Sequence, residues 1–171
     1  MRAAIVFVTA VQAAFLQVDV APLFPFEAAV PELGVVAVVL ILLGFGARAA
    51  MVATPIFAVT LGLLSSRAPG LIVFAYLPAV PLAFVVESLD APLGRFVRIA
   101  AVALGAGAWA RLVLAGGALA TGAPLDATVL IRDLMLPGVL FDFVLISLAY
   151  VPCRIAGWTD RPLLLPRGGW L

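Results

Sequence analysis

The amino-acid sequence predicts an all-helical integral membrane protein whose helices form one compact bundle. Of its 171 residues, 65% are hydrophobic and 11% are charged, and the mean hydropathy is +1.27. Soluble domains do not reach such values. Apolar stretches about as long as the hydrocarbon core is thick recur along the chain, separated by short polar breaks. We therefore expect a single domain of six transmembrane helices over residues 1–171, surrounded by the lipid bilayer.

The first three predicted helices are separated by a proline-rich stretch and by a glycine turn. The first covers residues 3–20, and three prolines, at positions 22, 25 and 31, break the chain after it. The second begins near Leu33 and ends at a turn that contains Gly44 and Gly46. The third follows over residues 49–64, so little chain separates it from the second.

The last three helices are separated by longer and more polar loops. The fourth covers residues 71–86 although it contains Pro78 and Pro81, because neighbouring helices can satisfy the carbonyls that a proline leaves free. The fifth covers residues 96–119 and the sixth covers residues 134–151. The tail that follows contains two tryptophans, which are typical of the headgroup region of a bilayer.

The arginines predict the orientation of the bundle. Cytoplasmic loops carry an excess of basic residues, and an inside N-terminus places most of the arginines on the cytoplasmic side. The inner group is Arg2, Arg48, Arg95, Arg98, Arg154, Arg161 and Arg167, and the outer group is Arg67 and Arg132. Both termini are then cytoplasmic, and the outer loops hold Glu27, Glu32, Asp126 and Asp133.

The composition argues against several classes of function. The chain has one cysteine, Cys153, and no histidine, which removes an internal disulfide, a histidine-based triad and an imidazole metal site. No sequence motif of a phosphate loop, a zinc site or a nucleophile elbow is present. The ten basic residues are scattered arginines rather than a cluster, so a nucleic-acid partner is not expected. We expect a protein that is not an enzyme and that needs no cofactor or metal.

Two ionisable residues fall inside predicted helices, Arg111 in the fifth and Asp142 in the sixth. A charge at that depth is costly and is therefore a candidate functional residue. Each lies about eight residues, or roughly 12 Å, from the outer end of its helix, so antiparallel neighbours would bring the two level. They could form part of a proton or substrate path, or a neutralised pair that fixes the packing of the last two helices. The second interpretation is favoured. It predicts that removing both residues recovers part of the folded protein that is lost when one is removed, and that exchanging the two residues recovers more.

Small residues are frequent in the first and fifth helices. Ala10 and Ala14 are four residues apart in the first, and Gly105 and Gly107 belong to an alanine- and glycine-rich run in the fifth. Small residues allow helix backbones to approach closely in a membrane. These positions are candidates either for packing within the bundle or for contact with a partner protein.

Several short motifs resemble the family of the rod shape-determining protein MreD. Gln17 lies near the end of the first helix, and Pro31-Glu32-Leu33 opens the second. The third helix ends in Gly62-Leu63-Leu64, and a polar turn leads to Phe74-Ala75-Tyr76. The last helix contains Leu136-Pro137 and closes with Tyr150-Val151-Pro152 and Arg154. The resemblance extends over nearly the whole chain, and length and helix number agree with it.

The resemblance implies a non-catalytic subunit of the bacterial rod complex, or elongasome, in the cytoplasmic (inner) membrane. Such a subunit binds MreC and links cytoplasmic MreB filaments to the peptidoglycan synthase RodA and its penicillin-binding transpeptidase, which determines cell shape. The family fold is similar to that of the substrate-binding subunits of energy-coupling-factor vitamin transporters. The alternative is such a subunit, in which Ala10 and Ala14 would dock a transporter scaffold helix and the outer loops would close over a vitamin.

Overall fold

The computed structural model of the chain describes residues 2–24, 30–65, 68–79, 94–122 and 126–157. Six helices, numbered in chain order, make up most of these residues: α1 (Arg2–Phe15), α2 (Leu33–Phe45), α3 (Ala47–Leu64), α4 (Pro69–Tyr76), α5 (Arg95–Ala120) and α6 (Leu136–Ile155). A π-helical turn, Leu16–Val20, and a 3-10 turn, Ala21–Leu23, prolong α1. A helical turn, Ala127–Val129, and a π-helical segment, Leu130–Met135, lead without a break into α6.

Four helical segments are long and apolar enough to cross a membrane: Ala3–Leu23, Ala47–Leu64, Phe96–Ala120 and Leu130–Ile155. The prediction of an all-helical chain with several membrane-length helices is confirmed for the described residues. α2 is apolar but shorter, and α4 is the described beginning of the predicted fourth span. Residues 80–93, which contain the rest of that span and most of the charged loop after it, and the tryptophans of the tail lie outside the described residues. The number of six spans and the orientation of the termini remain predictions.

α2 is the centre of the bundle. It packs against α1, α3, α5 and α6, while α4 lies between α3 and α5 at the periphery. A helix with neighbours on most sides must be apolar around its whole circumference. The sequence of α2 meets this need because its buried side chains, which include Val35, Val39, Ile41 and Leu42, point in several directions. Within the described residues, α1, α3, α5 and α6 therefore surround α2.

Small side chains bring α1 and α3 close together. α1 buries Ala10, Ala13 and Ala14 along its contact with α3, which in turn buries Ala50 and Ala53. Alanine permits the close backbone approach on which helix association in a membrane depends. The tight turn between α2 and α3 uses Gly46, whose φ of 88° lies in the left-handed region that favours glycine.

Candidate functional site

Four titratable side chains meet inside the otherwise apolar core and form what we call the polar cluster: Glu32, Tyr76, Arg111 and Asp142. Glu32 directly precedes α2, Tyr76 ends α4, Arg111 lies in α5 and Asp142 lies in α6. None of the four is more than 6% exposed. Buried polar groups are costly unless they are bonded, so the contacts of each one explain why the cluster can exist.

The two charges that the sequence analysis placed at equal depth are in contact. Nη1 of Arg111 lies 2.6 Å from Oδ2 of Asp142, and both side chains are buried. The opposite charges neutralise each other where neither could be solvated by water. This geometry gives the pair a structural role in joining α5 to α6.

The ion pair also binds the backbone immediately ahead of α2. Oδ1 of Asp142 accepts a hydrogen bond of 2.8 Å from the backbone N–H of Glu32, and Nη2 of Arg111 donates one of 3.3 Å to the carbonyl of Val30. The first N–H groups of a helix have no partner within the helix. A carboxylate at that end is also favoured by the helix dipole. Asp142 therefore stabilises the start of α2 from a distant part of the chain.

Gln17, in the π-helical turn that follows α1, holds the same backbone from the other side. Its Nε2 donates to the carbonyl of Pro31 over 3.0 Å, and its Oε1 accepts from the backbone N–H of Gly34 over 3.1 Å. One amide side chain thus satisfies an acceptor and a donor on either side of Glu32.

The side chain of Glu32 extends to α4, where the hydroxyl of Tyr76 donates a hydrogen bond to its Oε2. The ring of Tyr76 stands edge-on to Phe57, with 5.1 Å between the ring centroids. Phe57 in turn fills the space beside Gly34, where a Cβ atom would lie 1.9 Å from its Cζ. The start of α2 is therefore fixed by polar contacts and by close packing together.

Two glycines make room for the ion pair. A Cβ on Gly138 would lie 2.6 Å from Nε of Arg111, and a Cβ on Gly107 would lie 3.0 Å from Oδ2 of Asp142. Gly107, a candidate for helix packing or partner contact, is thus a packing residue at the polar cluster. Gly105 differs, because it is exposed and nothing lies within 4 Å of its Cβ position. No described side chain packs against the Cβ position of Gly105, and its contact with a partner protein stays a prediction.

Ala10 and Ala14 are packing residues within this chain. Their exposed fractions are 1% and 0%, and the helix that bears them packs against α3. The protein's own core covers both alanines, and the prediction that they dock the scaffold helix of a transporter stays a prediction.

The site contains residues that the sequence pattern does not identify as site residues. The sequence predicts Glu32 in an outer loop, and the structure shows it 6% exposed. Gln17 and Tyr76 enter the sequence analysis only through the family resemblance, and Gly138 does not enter it. The sequence does hold one indication that Glu32 belongs to the site. It is an acidic residue directly before a wholly apolar helix, and acidic side chains are stabilising at the start of a helix.

Replacing Tyr76 with phenylalanine is expected to lower the free energy of unfolding by about 1–3 kcal/mol, because a buried oxygen of Glu32 loses a donor. The matched control is Tyr150→Phe, which removes the same atom from a half-buried ring in tilted contact with the ring of Phe96. The free energy of unfolding of both variants is measured on purified protein in detergent, with circular dichroism as the readout. Equal losses for the two variants would contradict the importance of the contact between Tyr76 and Glu32.

No family model, curated protein or solved structure matches the chain. Among the residues that the structure describes, no three cysteine, aspartate or glutamate side chains converge as a metal site requires. The contacts of the polar cluster neutralise a charge and satisfy backbone groups inside the bundle.

Proposed function

We propose that this protein is a non-catalytic membrane scaffold subunit of the bacterial rod complex, similar to MreD. It would lie in the cytoplasmic membrane, bind MreC directly, and couple MreB filaments to RodA and its transpeptidase during peptidoglycan synthesis. The proposal rests on the family resemblance of the sequence. One structural observation supports it: separate stretches that carry the resemblance meet in one place.

That observation concerns Gln17, Pro31-Glu32-Leu33 and Tyr76, which are far apart in the sequence. Gln17 bonds to the carbonyl of Pro31, and Tyr76 bonds to the carboxyl group of Glu32. Motifs that bond to one another have a shared structural reason to occur together. This shared reason supports treating the three stretches together as one pattern.

The contacts of the polar cluster also favour a scaffold. One carboxylate oxygen of Asp142 contacts Arg111 and the other accepts a hydrogen bond from the backbone. Both polar atoms of the Gln17 side chain form hydrogen bonds with the backbone. Groups used in this way stabilise an architecture. The competing function, a vitamin-binding transporter subunit, is less well supported, since its proposed docking alanines, Ala10 and Ala14, are buried.

Depletion of the protein from the bacterium that encodes it should convert rod-shaped cells into round ones. Affinity purification from mild detergent should recover a single-span protein with a periplasmic coiled coil. Ser147→Ala is the matched variant that should keep both results, because the hydroxyl of Ser147 bonds only within α6.

Two results would overturn the proposed function. One is recovery of ATPase subunits together with normal cell shape on depletion. The other is nanomolar binding of a vitamin by the purified chain, which corresponds to roughly −12 kcal/mol.

A further inference from the structure

α2 is too short to cross the hydrocarbon core. Its 13 residues extend about 20 Å at 1.5 Å per residue, whereas the core is about 30 Å thick. α5, which packs against it, has 26 residues. One end of α2 must therefore lie well inside the bilayer, and the contacts of the polar cluster identify which end.

That end is the start of α2. The backbone N–H of Glu32 bonds to Asp142, and Asp142 bonds to Arg111. Arg111 lies nine residues before the end of α5 at Ala120, which is roughly 13 Å along the helix axis. If Ala120 lies at the edge of the hydrocarbon core, the start of α2 is close to the middle of the bilayer.

We infer that residues 30–32 form an extended strap at this depth, and that Asp142, Arg111 and Gln17 are the lock that holds it there. Non-helical backbone within a membrane is tolerated only where protein groups satisfy it. Three backbone groups of the strap are bonded in this way, the carbonyls of Val30 and Pro31 and the N–H group of Glu32, and Gln17 also bonds the N–H group of Gly34 in the first turn of α2. The lock therefore replaces the water that these groups would need.

In this arrangement the ion pair also holds the strap within the bilayer. Without Asp142, the N–H of Glu32 would lose its acceptor at a depth where water cannot replace it. The strap would then be favoured nearer to the membrane surface. Gln17 permits a separate test of the lock, because it bonds to the strap while the ion pair stays intact.

A spin label at position 30 reports the depth of the strap. Val30 is 38% exposed, so Val30→Cys in a Cys153→Ser background can carry a label without entering the core. The protein is reconstituted in vesicles of phosphatidylcholine and phosphatidylglycerol, and the collision rates of the label with oxygen and with a water-soluble nickel chelate are compared. Thr121→Cys, an exposed site just beyond α5, is the reference for the membrane surface.

The inference predicts that the nickel chelate reaches position 30 at least about tenfold less often than position 121. Asp142→Ala and Gln17→Ala should each raise its collision rate at position 30 several-fold, and Ser147→Ala should not. A label at Leu148→Cys, on the exposed side of α6, should keep its depth in every variant that remains folded.

Equal access of the chelate to positions 30 and 121 in the otherwise unchanged protein would overturn the strap within the bilayer. Unchanged access at position 30 in Gln17→Ala and Asp142→Ala, with the label at position 148 undisturbed, would overturn the lock. If Asp142→Ala also shifts the label at position 148, the variant has unfolded and Gln17→Ala decides. Neither measurement depends on cell shape or on a partner protein.

Discussion

Arg111→Ala and Asp142→Ala are each expected to destabilise the protein by about 3–5 kcal/mol, because each leaves an uncompensated buried charge. The double variant should lose less stability than the two single variants lose together, since removing both charges leaves no uncompensated charge in the core. Each change also removes a hydrogen bond to the backbone ahead of α2, the one that Asp142 accepts from the N–H of Glu32 or the one that Arg111 donates to the carbonyl of Val30. The folded fraction in membranes and unfolding in detergent measure all three variants.

Strictly additive losses would show that the two charges act independently. Single variants that accumulate normally but lose function would favour a proton path instead. Ser147→Ala serves as the control on α6. The exchange Arg111→Asp with Asp142→Arg should recover little, contrary to the expectation from the sequence, because an arginine at position 142 cannot accept from the N–H of Glu32.

Gly138→Ala is expected to destabilise the protein by at least about 1–3 kcal/mol, the usual cost of overpacking a core. The added Cβ would lie 2.6 Å from Nε and 2.8 Å from Cζ of Arg111, so the guanidinium must move away from Asp142. Gly105→Ala is the matched change, because nothing lies within 4 Å of the new atom and alanine favours a helix over glycine. Unfolding in detergent compares the two variants directly.

A similar loss for both variants would contradict the geometry of the ion pair. Gly105→Ala also tests the remaining interpretation of Gly105. If this glycine contacts a partner protein, the variant should fold normally and yet recover less of that partner on purification.

The sequence was sufficient for the fold class and for the pairing of Arg111 with Asp142. Charges inside apolar helices are rare because they are costly, and helix geometry converts position along a helix into depth. Two charges at one depth were therefore an informative coincidence. Nothing comparable existed for Tyr76, because a tyrosine in an apolar segment does not reveal which group its hydroxyl meets.

The strap could not be predicted, for two physical reasons. Pro31 and Glu32 have the composition of a surface loop, and only a hydrogen bond across 110 positions of the chain reveals that they are buried. Likewise, Gly105 and Gly107 belong to one run of small residues but point in directions about 200° apart on the helix. Because this run contains no charged residue whose burial could be expected, the sequence does not indicate which of the two glycines faces the core.

The position of α2 at the centre of the bundle has a consequence for biosynthesis. Chains are made from the N-terminus, so Glu32 enters the membrane long before the ribosome reaches Asp142. Until α5 and α6 arrive, the backbone around Glu32 lacks two of the side chains that will hold it. The bundle can close around its centre only when the last helix is inserted, and a chain that ends early would present that unfinished centre to the quality-control proteases of the cell.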